Sequence, residues 1–389
     1  MTDVVIAGIG QVPVGEYWDL SLRTLAVRAV RAAIKDAAGM QPQAMYIGNY
    51  LAPMVSHQSN LGALLADESG LRGIEAYTAE AAGASGAAAF HLGYLAIASG
   101  YVDTAVVLGA EKYNDMVGPE LESAVAQSED YDYEMVNGLI PVGQAAILMQ
   151  RYLYEYDVPR QALGAFPVLM HANAVNNPNA VFRKAITLEA YGRADIIADP
   201  LNLFDIAPYN DGAAAVILTR RDLAPAGLGH GLVKVTGSSL VIDTLAMHDR
   251  SDPLEFEAAR RSVQRACRQA GILPQDVDFF ELCDAFSIYA ALSLEAAGFA
   301  KRGEGWKLAQ DGGLSLLKGK LPVNTLGGLK GRGNPLGATG VYQIVEAALQ
   351  LRGQAGGSQL AHARRGLVQS LGGPAATAVT HVLEVCNDA

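Results

Sequence analysis

Residues 80–86 are Glu80-Ala-Ala-Gly-Ala-Ser-Gly86, a turn of mostly small residues between two apolar segments. The segment before it, Glu75–Ala79, has the length and composition of a β-strand. After it, residues 85–99 are apolar on almost every side and predict a buried helix, and residues 104–109 predict a buried strand. Glycine in such a turn allows another backbone to approach closely. The sequence therefore predicts a strand, a tight turn and a buried helix at this point.

Strand and helix patterns also alternate towards the N-terminus. Residues 4–10 predict a buried parallel strand, and residues 21–38 place apolar side chains at helical spacing after Ser21, a plausible N-cap. Residues 44–48 predict another strand and residues 59–66 another helix. This order favours a doubly wound α/β sheet.

The alternation breaks between residues 113 and 200. Residues 120–133 are acidic and polar, and residues 173–180 are rich in asparagine. An insertion of this kind on an α/β scaffold commonly carries binding residues, because it lies over the carboxyl ends of the strands. The sheet is expected to resume at residues 211–219.

A second half with a similar layout follows a linker at residues 222–231. Its predicted elements are a strand at 232–242, a helix at 254–271, a strand at 277–282, a glycine-then-helix segment at 333–351, and strands at 366–371 and 376–384. The repeated layout indicates an internal duplication. We therefore predict two domains, residues 1–225 with a loop region at about 113–200, and residues 226–389.

Composition narrows the class of protein. Half of the 389 residues are hydrophobic, 18% are charged and 42 are glycine, as in an α/β protein with tight backbone approaches. The net charge is −11 and no Lys/Arg run occurs, so we expect no nucleic-acid partner and no anionic-membrane partner. A local basic pocket for phosphates is compatible with this charge.

The cysteines predict neither a metal site nor a disulfide framework, since Cys267, Cys283 and Cys386 lack metal-ligand spacing. A reduced, cytoplasmic setting and no bound cofactor are expected. The chain shows no charged leader and no apolar run of about 18 residues, so we expect neither export nor a membrane span.

Two further segments are rich in glycine and other small residues, as residues 80–86 are, and a third segment lies at the end of a predicted strand. They are Glu281-Leu-Cys-Asp-Ala-Phe286, Gly327-Gly-Leu-Lys-Gly-Arg-Gly-Asn-Pro-Leu-Gly-Ala-Thr-Gly340 and Gln369-Ser-Leu-Gly-Gly-Pro374. In order along the chain, the four segments resemble the four active-site motifs of thiolases, of which the first is E-A-A-C-A-S-G and the third ends in G-H-P-x-G-A-T-G. The second is similar to H-D-C-F of the sterol-carrier-protein-x and archaeal acetyl-CoA acetyltransferase branch, and residues 173–183 also match that branch.

The resemblance implies a thiolase fold of two duplicated βαβαβαββ halves with an inserted loop region, and it implies roles for individual residues. Gly83 stands where the family has its nucleophilic cysteine, so the chain lacks that thiol. Asn334 stands where the family has the histidine that activates the nucleophile, and an amide cannot accept a proton at neutral pH. Cys283 replaces the residue that helps hold the thioester oxygen, Asp284 matches the motif, and Ala285 replaces an acid/base cysteine.

The resemblance also implies a coenzyme A thioester as substrate or ligand. Backbone N–H groups around Gly83 and the Gly372–Gly373 turn are expected to face the thioester carbonyl. Arg183 and Lys184 are candidates for the CoA phosphates, with an ordinary solvated pair as the alternative. A homodimer is expected through Glu75–Ala79, together with a small OB-fold/zinc-ribbon partner of the kind that assists some thiolase-like aldolases.

Two functional hypotheses follow from the resemblance. In the first, the protein is an enzyme that performs carbon–carbon bond chemistry on a CoA thioester without an acyl-enzyme at residue 83. In the second, it is a non-catalytic acyl-CoA-binding subunit and Gly83 serves only close packing. An enzyme needs an acid/base near the thioester, and of the motif positions only Cys283 and Asp284 could supply one. Cys283 has the alternative of a small buried hydrophobe.

Overall fold

The computed structural model describes residues 2–386. Its strands are β1 Val4–Gln11, β2 Ala44–Gly48, β3 Glu75–Ala79, β4 Thr104–Glu111, β5 Ile196–Ala198, β6 Leu201–Asn202, β7 Gly212–Arg220, β8 Val233–Ile242, β9 Phe279–Glu281, β10 Arg365–Gly372 and β11 Thr377–Val385. Its helices are α1 Leu22–Asp36, α2 Ala52–Val55, α3 Leu61–Glu68, α4 Ser85–Ala98, α5 Pro119–Val125, α6 Pro141–Glu155, α7 Ala165–Ala174, α8 Leu188–Gly192, α9 Glu257–Ala270, α10 Ser287–Ala296, α11 Gly305–Gln310, α12 Gly328–Gly331 and α13 Thr339–Leu351.

The main sheet is mixed. Its order is β3-β2-β4-β7-β1-β8-β11-β10-β9, with parallel pairing only between β2 and its two neighbours and between β9 and β10. The prediction of a parallel strand at residues 4–10 was wrong, because β1 pairs antiparallel with both β7 and β8. Helices cover both faces of the sheet, so its central strands are apolar throughout whichever way they run.

The two halves repeat one topology. The order β2-β4-β7-β1 in the first half corresponds to β9-β10-β11-β8 in the second, with the same parallel and antiparallel pairings. The halves join where β1 and β8 pair at Val5–Lys234 and Ile6–Val233. The duplicated α/β layout is therefore present, whereas the exact boundary near residue 225 stays a prediction.

Helices α4 and α13 occupy equivalent places in the two halves and cross near their N-termini. A Cβ on Gly86 would lie 2.8 Å from the Gly337 carbonyl oxygen, and a Cβ on Gly340 would lie 2.4 Å from the Ala87 nitrogen. Only glycine allows these backbones to approach so closely. The crossing brings the turn before α4 and the turn before α13 to the same place in the molecule.

The loop region contains helices α5 to α8 and the short β5–β6 pair. It is held to the segment before α13 by backbone hydrogen bonds, from the Val181 N–H to the Arg332 carbonyl at 3.0 Å and from the Phe182 N–H to the Gly331 carbonyl at 3.1 Å. The insertion thus lies beside the glycine-rich segment that precedes α13. Within residues 2–386, no helix has the length and apolarity needed to cross a membrane.

Candidate functional site

The four motif segments meet around one inner cavity of about 70 Å³. Gly83, Cys283, Asn334 and Gly373 all line it, each from a different motif. The other lining residues are Tyr50, Val125, Ser128, Glu129, Pro141, Ile206, Ala207, Tyr209, Ala285, Phe286, Tyr289, Leu329, Leu336, Thr339, Gln343, Ser370 and Leu371. Segments that are far apart in the sequence therefore form one small, largely apolar chamber.

Gly83 lies in a single turn of 3-10 helix, Ala82–Ala84, that continues directly into α4. The turn is fixed by the Ala82 N–H, which donates to Glu80 Oε1 at 2.6 Å, and by the Ser85 hydroxyl, which donates to the Ala82 carbonyl at 2.6 Å. A Cβ at position 83 would lie only 2.9 Å from the Leu371 carbonyl oxygen. The absence of a side chain thus lets the loop after β10 approach the start of α4, where the helix dipole favours negative charge.

Asn334 presents a hydrogen-bond donor to the cavity. The Thr339 hydroxyl donates to Asn334 Oδ1 at 3.0 Å, which leaves the amide NH₂ group as the free part of the side chain. Its backbone is held from two sides, since its N–H donates to the Pro208 carbonyl at 3.2 Å and its carbonyl accepts from the Tyr113 hydroxyl. Asn334 can therefore donate to an oxygen of a bound molecule but cannot remove a proton from it.

Cys283 is buried, and burial raises the pKa of its thiol to about 12. A thiol in that state is almost wholly protonated at neutral pH and is a poor nucleophile.

Asp284 lines neither this cavity nor the larger groove beside it, and its carboxylate accepts three hydrogen bonds within the protein. The donors are Asn324 Nδ2 at 2.7 Å, the Leu329 N–H at 2.8 Å and the Lys330 N–H at 3.1 Å. The Asp284 carboxylate therefore holds the start of α12 in place through these hydrogen bonds. Its catalytic role stays a prediction.

An outer groove of about 920 Å³ adjoins the inner cavity. The two share Ile206, Ala207 and Tyr209 in their walls. Arg183 and Lys184 line the outer groove and are exposed, and neither has an ion-pair partner among residues 2–386. Two cations without ion-pair partners therefore line the wider space together with the Glu122 carboxyl, and the walls of the narrower one combine apolar side chains with a few polar groups.

Gly372 and Gly373 have different surroundings in the same turn. A Cβ on Gly372 would lie 2.2 Å from the Ala81 carbonyl oxygen, so this residue packs against the turn that contains Gly83. Gly373 has φ +57° and lines the inner cavity, and a Cβ there would lie 2.9 Å from the Ser128 carbonyl oxygen. The turn thus connects the start of α4 with the acidic part of the loop region.

Sequence reasoning missed Glu129, the only Asp or Glu side chain in the inner-cavity wall among the residues described. It is 4% exposed, its Oε1 accepts a hydrogen bond from the Ser128 hydroxyl at 2.9 Å, and its Oε2 has no partner in the described structure. Burial is the main reason why the pKa of this carboxyl is raised to about 7. The hydrogen bond from Ser128, the charge of Arg250 and the amide of Gln144 oppose this rise, and Glu134 adds to it. The acidic stretch 120–133 was the available signal, but it did not single out one residue.

Three tyrosines, Tyr50, Tyr209 and Tyr289, also line the inner cavity. Burial raises the pKa of each phenol above its ordinary value, so all three are neutral hydroxyls at neutral pH. Across the described part of the chain, no group of three or more His, Cys, Asp or Glu side chains is placed to hold a metal ion.

Two family models match the chain, "Thiolase, N-terminal domain" over residues 4–222 and "Thiolase C-terminal domain-like" over residues 239–385. An acetyl-CoA acetyltransferase of Methanothermobacter thermautotrophicus is 39% identical over 98% of this chain and 99% of that protein. Sterol carrier protein 2 of Oryctolagus cuniculus is 34% identical over 54% of this chain and 39% of that protein. The chain therefore belongs to the thiolase superfamily, close to these two kinds of protein.

The fold has a counterpart among solved structures. A chain of the structure titled "Ltp2-ChsH2(DUF35) aldolase" superposes with a TM-score of 0.85 at 24% identity, covering 98% of each chain. At that identity the likeness concerns the fold. Together with the family models, it confirms the predicted thiolase fold.

Proposed function

We propose that the protein binds an acyl-CoA or a similar thioester and performs carbon–carbon bond chemistry on it without an acyl-enzyme at residue 83. The observation that carries the proposal is the pair of adjoining cavities, one wide with free cations and one narrow and apolar. A CoA moiety suits the outer groove, where Arg183 and Lys184 are available for its phosphates. The acyl group suits the inner cavity, which the four motifs surround.

The proposal excludes the two-step acyl transfer through residue 83, because that mechanism needs a thiol to carry the acyl group. Asn334 supplies no base to activate a nucleophile, and the Cys283 thiol is held in its protonated form by burial. Three separate features thus argue against an acyl-enzyme, while the glycine-rich backbone around the cavity is retained.

The retained groups suit stabilisation of an oxyanion. The N–H groups of Ala82, Ala84 and Ser85 donate within the turn itself. The donors we propose beside the cavity are therefore the Gly83 N–H and the amide NH₂ of Asn334, and such donors favour the negative oxygen of an enolate. An enolate of a CoA thioester attacks a second carbonyl in the aldol direction and forms when a carbon–carbon bond breaks in the retro-aldol direction. Retro-aldol chemistry or a non-covalent Claisen reaction is therefore the reaction class we propose.

The assembly is part of the proposal. We propose a homodimer in the cytoplasm, with β3 at the two-fold axis, and a small OB-fold/zinc-ribbon protein as a further partner. The structural neighbour whose title joins Ltp2 with ChsH2(DUF35) in one aldolase is consistent with such a partner. The archaeal relative named acetyl-CoA acetyltransferase supports the choice of a CoA thioester as the small molecule.

The second candidate is a non-catalytic acyl-CoA-binding or scaffold subunit of a thiolase-like complex. The observation that favours it is that Gly83 and Asn334 stand at the positions of the family's nucleophile and base. Neither residue can act as a nucleophile or as a base. Both candidate functions include binding of an acyl-CoA, but only the enzyme transfers a proton to or from the bound ester. One experiment that measures binding and proton exchange therefore separates them.

The experiment has two parts. Acetyl-CoA and longer acyl-CoA esters at millimolar concentration are expected to raise the melting temperature, because a ligand selective for the native state stabilises it. In D₂O, the enzyme is expected to exchange the α-protons of the bound ester for deuterium, which mass spectrometry detects. Binding without exchange identifies the scaffold, and no thermal shift, alone or with a co-expressed OB-fold protein, refutes the CoA hypothesis.

A further inference from the structure

Glu129 has a buried carboxyl group, and one of its two oxygens makes no hydrogen bond within the described structure. Its Oε1 accepts the Ser128 hydroxyl, whereas its Oε2 is buried and makes no hydrogen bond in the described structure. The amide of Gln144 on α6 also acts on this carboxyl and lowers its pKa. A buried carboxylate oxygen is costly unless it finds a partner, so an unpaired one at a cavity wall indicates a role towards a bound molecule. The side chain is 4% exposed, and it lines the same chamber as Gly83 and Asn334.

The loop that carries Glu129 is fixed in place rather than free. The Ser128 hydroxyl lies within hydrogen-bonding reach of the Val125 carbonyl, at 3.1 Å, as well as of Glu129. The Ser128 carbonyl lies against Gly373, where any side chain would come within 2.9 Å of it. Because Leu371 of the same turn contacts the site of Gly83, one backbone turn sets the distance between the start of α4 and the Glu129 loop.

Groups from several elements determine the charge state of Glu129. They are Glu134 on the same loop, Arg250 after β8, Tyr50 before α2, Tyr209 before β7 and Tyr289 on α10. The phenols are neutral, so the charged neighbours are one carboxylate and one guanidinium of opposite effect. The effect of burial is larger than the effects of Glu134 and Arg250, and it raises the pKa of Glu129 to about 7. An acid/base is most effective when its pKa lies near the working pH.

We propose that Glu129 is the acid/base that moves the proton at the α-carbon of the bound thioester, an assignment that rests on the function proposed above. The C–H bond at the α-carbon breaks, its electron pair forms the carbon–carbon π bond of the enolate, and the carbonyl π pair moves to the thioester oxygen. The proton goes to the free Glu129 oxygen. In the reverse step the enolate carbon takes the proton back, or takes a deuteron after the carboxyl has exchanged with D₂O.

The Asp284 carboxyl and the Cys283 thiol, which the motifs bring near the cavity, do not fit this role. Asp284 lines neither cavity, and its carboxylate already accepts two backbone N–H groups and the Asn324 amide. The Cys283 thiol lines the cavity, but its raised pKa of about 12 keeps it protonated at neutral pH, so it cannot accept the α-proton. The acid/base that the family places on its motifs is thus supplied here by the loop region.

The test is α-proton exchange of acetyl-CoA in D₂O with Glu129→Gln, which keeps the size of the side chain and removes its ability to take a proton. General acid/base groups contribute about 10²–10⁴-fold, so exchange is expected to fall at least about 100-fold. Glu129→Asp keeps a carboxyl and is expected to retain measurable exchange. Glu120→Gln is the matched control, because Glu120 is an exposed carboxylate on α5 that lines neither cavity, and its exchange rate is expected to equal that of the wild type.

The pH profile gives a second readout. The carboxylate form is the base, so wild-type exchange is expected to rise with pH and level off above about pH 7, and the Glu129→Gln profile is expected to lack that step. Unchanged exchange in Glu129→Gln, or no exchange in a wild type whose melting temperature acetyl-CoA does raise, would overturn the assignment. Absence of any acetyl-CoA thermal shift in the wild type contradicts the proposed binding instead, so the two failures are distinguishable.

Discussion

Gly83 shows how one residue affects both packing and chemistry. Without a side chain there, the Leu371 carbonyl approaches the turn before α4, and the Glu129 loop follows through Gly373. A cysteine at this position would add a thiol and would also push the Leu371 carbonyl away. The packing of the chamber is therefore adapted to glycine, and the thiol is not simply missing from an otherwise unchanged site.

Gly83→Cys is expected not to create a thiolase. The new Cβ would lie 2.9 Å from the Leu371 oxygen, and overpacking of this kind costs about 1–3 kcal/mol. Asn334 also offers no base to activate the thiol. Thiolytic cleavage of acetoacetyl-CoA should therefore stay at background, as in the wild type, and the intact mass should show no acyl-enzyme.

Two companion variants make this prediction decisive. Gly83→Ala adds the same Cβ without the thiol, so calorimetry should give a similar loss of melting temperature for both substitutions. Gly83→Cys/Asn334→His restores both groups, and any acyl-enzyme should appear only there. An acylated wild-type protein, with the acyl group mapped to Cys283, would contradict our account of the site.

The site was predicted from the sequence only where motifs carry it. The resemblance to the thiolase motifs implied that Gly83, Cys283 and Asn334 belong to one site, and the structure brings all three to the inner cavity. Glu129 was not predictable in this way. Its burial depends on contacts with segments more than 100 residues away, and its own neighbourhood looks like a solvated acidic loop.

Strand β3 is an edge strand of the main sheet, with a neighbouring strand on one side and none on the other in the described part of the chain. It ends the main sheet, it pairs only with β2, and Tyr77 and Thr78 on it are exposed. An edge strand with free backbone groups is a template for pairing with a second chain. Self-pairing of β3 across a two-fold axis would extend the sheet through both subunits.

Thr78→Lys is expected to convert the proposed dimer into a monomer, because the substitution would place two like charges close together at the proposed two-fold axis. Light scattering coupled to size exclusion measures the molar mass directly. Leu317→Lys adds the same charge at a site that is 93% exposed and away from β3, so it should leave the mass unchanged. If the wild type is monomeric, or if Thr78→Lys remains dimeric, β3 is not the dimer interface.

Element positions were predictable from the sequence, whereas strand direction was not. Apolar runs located β1, β2, β4 and β7 to within a few residues, since burial fixes the composition of a strand. The antiparallel pairing of β1 depends on which strands lie beside it, and that information is not local. Helices α6 and α7 were also missed, because they lie in the insertion, where no strand alternation guided the assignment.

Charge distribution is a property of the whole molecule and bears on how a CoA ester would bind. The chain carries a net charge of −11, so the protein as a whole repels a ligand with several phosphates. Arg183 and Lys184 lie at the outer groove without ion-pair partners in the described structure, which leaves their charge available to an anion. Binding at this place should consequently weaken as salt increases.

Arg183→Ala/Lys184→Ala is expected to reduce the thermal shift caused by acetyl-CoA while leaving the melting temperature of the free protein almost unchanged. Each charge-assisted hydrogen bond to a phosphate contributes about 1.5–3 kcal/mol, so the affinity should fall at least about 10-fold. The control is Lys318→Ala/Lys320→Ala, which removes two exposed positive charges from a segment that lines neither cavity. Because both double variants change the net charge equally, a loss confined to the first assigns the effect to the groove itself. Equal binding by both variants would show that Arg183 and Lys184 are an ordinary solvated pair.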